Sequence, residues 1–504
     1  MISPTTSATE REVKLGAPPE FHLPDLTGVV EGVTAAPLPE RDLRAAYYDT
    51  ADLRLARWGV TVRYRSGEGT TWTVKLPEGE EGPALVRREV SCEGSASEVP
   101  KETLDLVQAY LRRQPLRVVA NIHTRRTGVV LNDVEGLQVA EVVDDDVSVL
   151  TDGQVSARFR EVEVEVADRA APDLLDAAVR RLREAGAGKP DATPKLVRAL
   201  GAPALVPAEL GPVDLEGDPT AFDVIRAAMV GSVTRILRHD AGVRIGDDPE
   251  DIHQARVGTR RLRSDLRTFA PVLVDGWAEP LRDELKWLAG QLGVVRDADV
   301  LAERLRRQAD ALPERDMAGL APLFRRLAKE REEAGARLLE AMSGDRYLDL
   351  LDALVAGARH PDVRPEAHEP ARRVVVDLVA RPWRHLKKTV GQLPDDPSDA
   401  DLHLVRIRTK RTRYAVEAAA PAVGGGAKSF AKVLAGLQSV LGDHQDAVVA
   451  EEWLRQAADG ASAAEALAAG ELIAVQRADE VAYREKWPDA WEKVAKKKRR
   501  SGLG

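Results

Sequence analysis

Hydrophobic and polar positions alternate in short runs through the first two-fifths of the chain. Glu10, Glu12 and Lys14 alternate with Arg11, Val13 and Leu15. Thr61-Val62-Arg63-Tyr64-Arg65 puts Arg63 and Arg65 on one face, and Trp72-Thr73-Val74-Lys75-Leu76 puts Thr73 with Lys75. Glu161-Val162-Glu163-Val164-Glu165-Val166 sets three carboxylates against three valines. A period of two is that of a strand. Turn signals at Gly67-Glu68-Gly69, at 78–82 and at Asp152-Gly153 bound such runs, and helical stretches over 101–113 and 172–185 interrupt them. The pattern predicts an antiparallel sheet or barrel. Charged faces of single strands are usually solvated and joined by cross-strand ion pairs. Several strands charged in this way fit a barrel with a charged interior better, with carboxylates for a divalent metal on one wall and cations for phosphate on the other.

Residues 202–219 hold four prolines and little periodicity, the mark of a linker. From about 220 to 491 the period becomes helical, predicting helices over 221–238, 280–292, 298–311, 320–342, 348–356 and 369–389. Two further helical stretches echo each other. Counting from His253, Arg256, Arg260, Arg263 and Arg267 fall at offsets 3, 7, 10 and 14; from His403 the same offsets give Arg406, Lys410, Arg413 and Glu417. Positions so spaced stack on one helix face. Leu262, Leu266, Phe269 and Leu273 form an apolar stripe about half a turn away. Like charges three and four apart repel, so a cationic row roughly 21 Å long needs a partner, most simply a long anion. Leu292-Gly293 with Arg296-Asp297 returns as Leu441-Gly442 with Gln445-Asp446. The echoes lie 150 (403 − 253) and 149 (441 − 292) residues apart, predicting a duplicated helical bundle facing its copy across a pseudo-twofold.

A length of 504 residues allows two to four domains. With 73 Lys and Arg against 82 Asp and Glu, the net charge is −9, so an anion site must be a local concentration of charge, and nucleic acid is not an expected partner. Scarce aromatics argue against a base-stacking surface. The single cysteine, Cys92, excludes an internal disulfide and a cysteine-rich zinc site, and it fits a reducing compartment. The sequence shows no signal-peptide core and no apolar run near the roughly 20 residues of a membrane helix. A cytoplasmic protein without membrane contact is expected.

Glu10-Arg11-Glu12-Val13-Lys14 is an ExExK signature. In order there follow Tyr48-Asp49-Thr50-Ala51-Asp52-Leu53-Arg54-Leu55, the Arg63 strand, the Lys75 strand, Arg125-Arg126, Asp144, the triple glutamate and Pro194-Lys195-Leu196-Val197-Arg198. This series, over 8–201, resembles the CYTH family, the triphosphate tunnel metalloenzymes. The resemblance implies an eight-stranded antiparallel tunnel that binds triphosphate-like chains with Mg2+ or Mn2+. It implies Glu10, Glu12, Asp144 and members of the set Glu161, Glu163 and Glu165 as metal ligands. Lys14, Arg63, Arg65, Lys75, Arg126 and Lys195 would grip phosphoryl oxygens. The chemistry agrees: magnesium takes hard oxygen ligands, and the Arg fork matches phosphoryl geometry while Lys acts as a point charge. No dedicated protein base is implied. Tyr48 to Leu55 reads as structural.

The helical half, over about 220–490, resembles the CHAD family, the conserved-histidine α-helical domains, through both His-cation stretches and both Leu-Gly echoes. That resemblance implies two four-helix bundles around a basic cavity that binds inorganic polyphosphate. His253, Arg256, Arg260, Arg263 and Arg267, with His403, Arg406, Lys410 and Arg413, would line it. The second copy departs at Glu417 and Gln445, which makes its wall the weaker one.

The expected architecture is multi-domain α+β: a tunnel domain over 8–201, a linker over 202–219, helical repeats over about 220–370 and 371–491, and a basic tail over 492–504. The expected function is a metal-dependent hydrolase of phosphoanhydrides, acting on tripolyphosphate or polyphosphate. Its helical half would bind polyphosphate or direct the protein to polyphosphate granules. Three alternatives remain open at this level: binding without turnover, an organic triphosphate as substrate, and a helical scaffold for acidic protein partners.

Overall fold

A computed structural model describes residues 6–67, 71–81 and 84–498. The turn at Glu68-Gly69, Gly82 and the tail residues Arg499 and Arg500 lie outside the described residues. The chain divides into two compact units between Glu209 and Leu210.

In the first unit eight strands close an antiparallel barrel: β1 (Thr6–Gly16), β2 (Thr34–Asp49), β3 (Thr61–Ser66), β4 (Thr71–Glu81), β5 (Ala84–Cys92), β6 (Arg117–Asn132), β7 (Gln138–Thr151) and β8 (Gln154–Val166). Their spatial order is β1-β5-β4-β3-β2-β6-β7-β8. Four helices belong to this unit: α1 (Arg54–Arg57), α2 (Lys101–Leu111), α3 (Leu174–Glu184) and α4 (Lys195–Leu200). The apolar face of the alternating strands points outward. Val13, Leu15, Val142, Val162 and Val164 pack against Leu174, Leu175, Ala178 and Leu182 of α3. Each such side chain contributes roughly 1.5–3 kcal/mol when fully buried, and this outer layer turns the opposite, charged face of the same strands inward. α4 closes part of the interior, where Leu196 and Val197 pack with Ala120, Ile122 and Val147.

Asp49 accepts the backbone N–H groups of Thr50, Leu55 and Ala56 at 2.6, 2.8 and 2.9 Å and so holds the short helix α1. The stretch from Tyr48 to Leu55 is thereby tied into the scaffold. The expected linker is only partly a tether. Residues Ala202–Leu205 form a 3-10 turn, Arg57 donates to the carbonyls of Val206 and Pro207 at 3.2 and 3.0 Å, and Arg112 makes two 2.7 Å bonds to Glu209. Proline removes backbone donors but leaves carbonyls for arginine, so this proline-rich stretch is packed down to Glu209.

The second unit is helical: α5 (Ala221–Ile245), α6 (Pro249–Phe269), α7 (Ala278–Ala309), α8 (Leu320–Ser343), α9 (Asp345–Arg359), α10 (Ala371–Gly391), α11 (Asp399–Val423), α12 (Gly425–Ala458) and α13 (Ala463–Lys498). In order, α5–α8 correspond to α10–α13, and α9 is additional. Thr220 and Ser398 open α5 and α11 with capping boxes completed by Asp223 and Asp401. The expected break between 292 and 298 is absent. One interior glycine costs only about 1 kcal/mol, and Leu292, Val295, Leu301 and Leu305 keep the buried stripe continuous. α6 packs against α7 and α11 against α12, and the two cation-bearing helices meet directly. Lys496 and Lys497 extend α13 instead of forming an irregular tail. Among the described residues no helix is long and apolar enough to cross a membrane.

α6 also buries a carboxyl group. Asp265 is 1% exposed, neither oxygen has a hydrogen-bond partner, and the nearest cation is Arg261 at 3.8 Å, itself drawn to Glu417 at 3.0 Å. Burial pushes its pKa up to about 8; Arg261 opposes the shift and Glu417 adds to it. The native state therefore holds a proton that the unfolded chain releases near pH 4. The Asp265 contribution to stability is fully present below that pH and is lost as pH rises towards 8. Asp265→Asn is expected to flatten this loss, which amounts to at most about 1.4 kcal/mol per pH unit. Thermal denaturation at pH 5 and pH 8 measures it: the variant should gain on the parent chain as pH rises, and a constant difference would refute the assignment.

Candidate functional site

The barrel register brings the charged faces of distant strands together. Across β1 and β8, Glu12 lies opposite Glu165, Lys14 opposite Glu163 and Gly16 opposite Glu161. Glu10 faces Arg87, Lys75 faces Glu89, Arg41 faces Arg126, Arg126 faces Asp145 and Asp145 faces Glu161. Residues opposite one another in a ladder share a face. The result is a cavity of about 220 Å³ whose lining includes Glu10, Glu12, Lys14, Arg63, Arg65, Lys75, Arg126, Glu163, Glu165 and Lys195.

Two charge networks occupy it. In one, the Lys75 ammonium bridges Glu10 and Glu89, the latter at 2.9 Å, and Arg63 reaches Glu89 at 3.5 Å. Burial pushes the Glu10 carboxyl up to about 7, against the pull of Lys75 and with the help of Glu89 and Glu165. Burial likewise raises Glu165. In the other, Lys14 pairs with Glu163 and, at 3.0 Å, with Glu12. Arg126 grips Asp145 through two bonds of 2.8 and 2.7 Å and reaches Glu163 at 3.0 Å. The Lys195 ammonium stands 2.7, 2.9 and 2.8 Å from Asp145, Glu161 and Glu163. Burial would raise Glu163, but Lys14, Lys195 and Arg126 hold it well below the usual carboxylate range.

Asp145, Glu161 and Glu163 bring ligand oxygens within 4.8 Å of one another, all buried, an arrangement that could hold a divalent ion. All-oxygen donors fit a hard cation. Both Glu161 oxygens are buried without a hydrogen bond of good geometry and face only the cations Lys195 at 2.9 Å and Arg198 at 3.4 Å.

One residue expected at the metal lies elsewhere. Asp144 faces the outer wall, where Arg160 binds it at 2.8 and 2.6 Å. Strand side chains alternate, so within Asp144-Asp145-Asp146 only the middle carboxylate can enter the tunnel; Asp146 shares the outer face and Arg125 there. The interior also holds Arg41, Arg87, Glu89 and Glu141, none of them singled out from sequence. Val86-Arg87-Arg88-Glu89-Val90 carried the signal for two of them: Arg87 and Glu89 share the parity opposite to that of Val86 and Val90.

In the helical unit α6 and α11 lay arginines against each other. His253 is half-buried; its pKa is lowered by burial and then by Arg296, Arg256 and Arg260, against Glu250. Arg260 is lowered by burial and by Arg256 and Arg406, with Tyr414 opposing. Further along α6, burial and then Arg411, Arg282, Arg263 and Arg408 push Arg267 down to about 10. Two cation groups follow, one around His253, Arg256, Arg260, Arg296 and Arg406, the other around Arg263, Arg267, Arg282, Arg408 and Arg411. Arg256 pairs with Asp297 at 2.9 Å; among the described residues no salt bridge neutralises Arg260, Arg263, Arg267 or Arg406. The Leu-Gly echoes fit the same contact twice: a Cβ at Gly293 would lie 3.9 Å from Arg256, and one at Gly442 3.7 Å from Arg406.

The α11 row differs from the one expected. Lys410 is half-buried, Arg413 turns to Glu417 at 3.6 Å and over the Tyr414 ring at 4.9 Å, and Arg408 and Arg411 meet the α6 arginines instead. His403 Nδ1 lies 2.5 Å from Gln445 Oε1, so Gln445 meets the second histidine in the place where Arg296 meets the first.

Comparison with known proteins agrees with this division. A CYTH domain model matches residues 8–196 and a CHAD domain model matches residues 227–455. An uncharacterized protein of Mycobacterium tuberculosis, present in two strains, is 35% identical over 468 residues, covering 88% of this chain and 87% of its own length. Among solved structures, PptA from Streptomyces chartreusis is 27% identical, with a TM-score of 0.47, over 54% of this chain and 99% of its own. The CHAD domain from the plant Ricinus communis is 30% identical, with a TM-score of 0.45, over 56% of this chain and 95% of its own. The chain thus belongs to the CYTH–CHAD proteins, a CYTH domain followed by a CHAD domain.

Proposed function

We propose that the barrel hydrolyses phosphoanhydrides of tripolyphosphate, or of short or terminal stretches of polyphosphate, with Mg2+ or Mn2+, and that the helical unit binds the polyphosphate chain. One observation carries the reading: a single cavity holds carboxylates for a hard cation beside Lys14, Arg63, Arg65, Lys75, Arg126 and Lys195. Glu10, Glu12, Glu163 and Glu165, with Asp145 and Glu161 deeper, would hold the metal. A divalent ion bound there supplies charge neutralisation and a water of lowered pKa. The chain's own cations do the rest. Lys14, Arg63, Lys75, Arg126 and Lys195 pair with carboxylates of the tunnel; with substrate present they would turn to phosphoryl oxygens, orient the chain and offset the charge that develops on the leaving phosphate.

In the helical unit the unneutralised arginines on α6 and α11 support binding of a long polyanion. A cytoplasmic protein drawn to polyphosphate granules fits both halves. The test is phosphate release from tripolyphosphate with either metal, stopped by a chelator and unaffected by a tenfold excess of ATP (roughly 1.4 kcal/mol of discrimination would then be exceeded). No release with any divalent metal would leave a binding protein, and effective competition by ATP would make the substrate an organic triphosphate.

A further inference from the structure

We propose that the Lys195 ammonium takes the place of a cation in the Asp145–Glu161–Glu163 triad, so that a divalent ion must displace it and thereby frees it for phosphate. This rests on the metal-dependent reading above and specifies how the site is assembled. The ammonium lies 2.7–2.9 Å from all three carboxylates. It therefore sits where an ion bound by the same oxygens would sit. The triad also has unused capacity: Glu161 is fully buried, its oxygens accept no well-directed hydrogen bond, and its other cation, Arg198, stands back at 3.4 Å.

Charge balance makes the two occupants exclusive. Lys14, Arg126, Lys195 and Arg198 set four positive charges against five carboxylates, the triad together with Glu12 on Lys14 and Asp191 on Arg198, so a divalent ion balances the group only if one of the cations leaves. Adding a divalent ion to that buried group without losing a cation would leave excess charge in a low dielectric, which is strongly unfavourable. Lys195 is the cation best able to leave. Lys14 and Arg126 project from barrel strands, and Arg126 is fixed bidentately. Lys195 begins the six-residue helix α4, and its four-carbon stem can swing while Leu196 and Val197 keep the helix seated in the apolar cluster. It already lines the cavity, so a displaced ammonium meets the space a phosphoryl group would fill. Metal loading would then arm the phosphate grip, and metal would bind before substrate.

The test is a Mn2+ titration of the full chain without substrate, read by the electron paramagnetic resonance signal of free ion. Lys195→Met removes the competing charge at nearly constant length and should bind Mn2+ about tenfold more tightly or better, about 1.4 kcal/mol. Lys195→Arg, which keeps the charge, should bind no more tightly than the parent. Equal or weaker binding by a folded Lys195→Met overturns the proposal. A second measurement needs no substitution: the Lys195 Nζ resonance, protected from exchange by its ion pairs, should lose that protection on adding Mg2+ alone, and its persistence overturns the proposal too. If the parent chain binds no divalent ion even with tripolyphosphate, the metal-dependent reading itself has failed, which neither result on Lys195 would imitate.

Discussion

Glu10→Gln with Glu12→Gln is expected to abolish metal-stimulated phosphate release from tripolyphosphate, lowering turnover by roughly 100- to 1,000-fold or more, the cost of losing preorganised electrostatic stabilisation. β1 delivers both carboxylates to the cavity, while Val13 and Leu15 on its other face are buried on the outside. Glutamine keeps the volume and most hydrogen bonds but removes the charge that holds a hard cation. Glu12 is the better placed of the two as a standing ligand, because Lys14, Lys75 and Arg87 keep its carboxyl low against the effect of burial. The double variant also releases Lys75 and Lys14 from two carboxylates, so tripolyphosphate binding without metal should survive or strengthen. Loss of turnover with retained binding separates a metal role from a collapse of the barrel. Full turnover in the folded double variant would rule out β1 as the metal wall.

How much of this could be read from the chain depended on how many solutions the local pattern allowed. The β8 run Glu161 to Val166 has one: valines demand cover, so the carboxylates go to the other face. The structure adds only that the cover is α3 and that the charged face is the inside. Asp144-Asp145-Asp146 has two solutions, since either parity places an aspartate inward. The choice of Asp145 is made by its cross-strand partners Arg126 and Glu161, which the sequence places 19 and 16 residues away. Arg41 and Glu141 gave no signal, because their neighbours do not alternate cleanly. In the helical unit α6 was legible because Leu262, Leu266 and Phe269 fix its buried face. α11 was not, because Arg406, Arg408, Lys410, Arg411 and Arg413 place cations almost around its circumference. Packing against α6 selects Arg406, Arg408 and Arg411 from that set, and Glu417 takes Arg413 out of it.

The stripe on α6 leads to the second large effect. Arg256→Ala with Arg260→Ala is expected to weaken polyphosphate binding by roughly a hundredfold or more, taking roughly 1.5–3 kcal/mol for each charged hydrogen-bonding group lost. It should also flatten the plot of log affinity against log salt by about 1.4, two contacts at roughly 0.7 each for a single-stranded polyanion. The slope discriminates more sharply than the affinity. A loss of packing lowers affinity equally at every salt concentration, whereas a loss of phosphate contacts reduces the number of counterions released. Stability should not suffer. Arg260 is crowded by Arg256 and Arg406, which together with burial lower its pKa, so removing the two side chains relieves repulsion. Lys329→Ala, at an exposed α8 lysine 3.9 Å from Glu333, removes a positive charge outside the row and should change neither quantity. An unaltered slope in the double variant would mean that polyphosphate, if bound, is held elsewhere. Arg260, Arg263, Arg267 and Arg406, which no salt bridge neutralises among the described residues, would then lack the partner that accounts for their being held together.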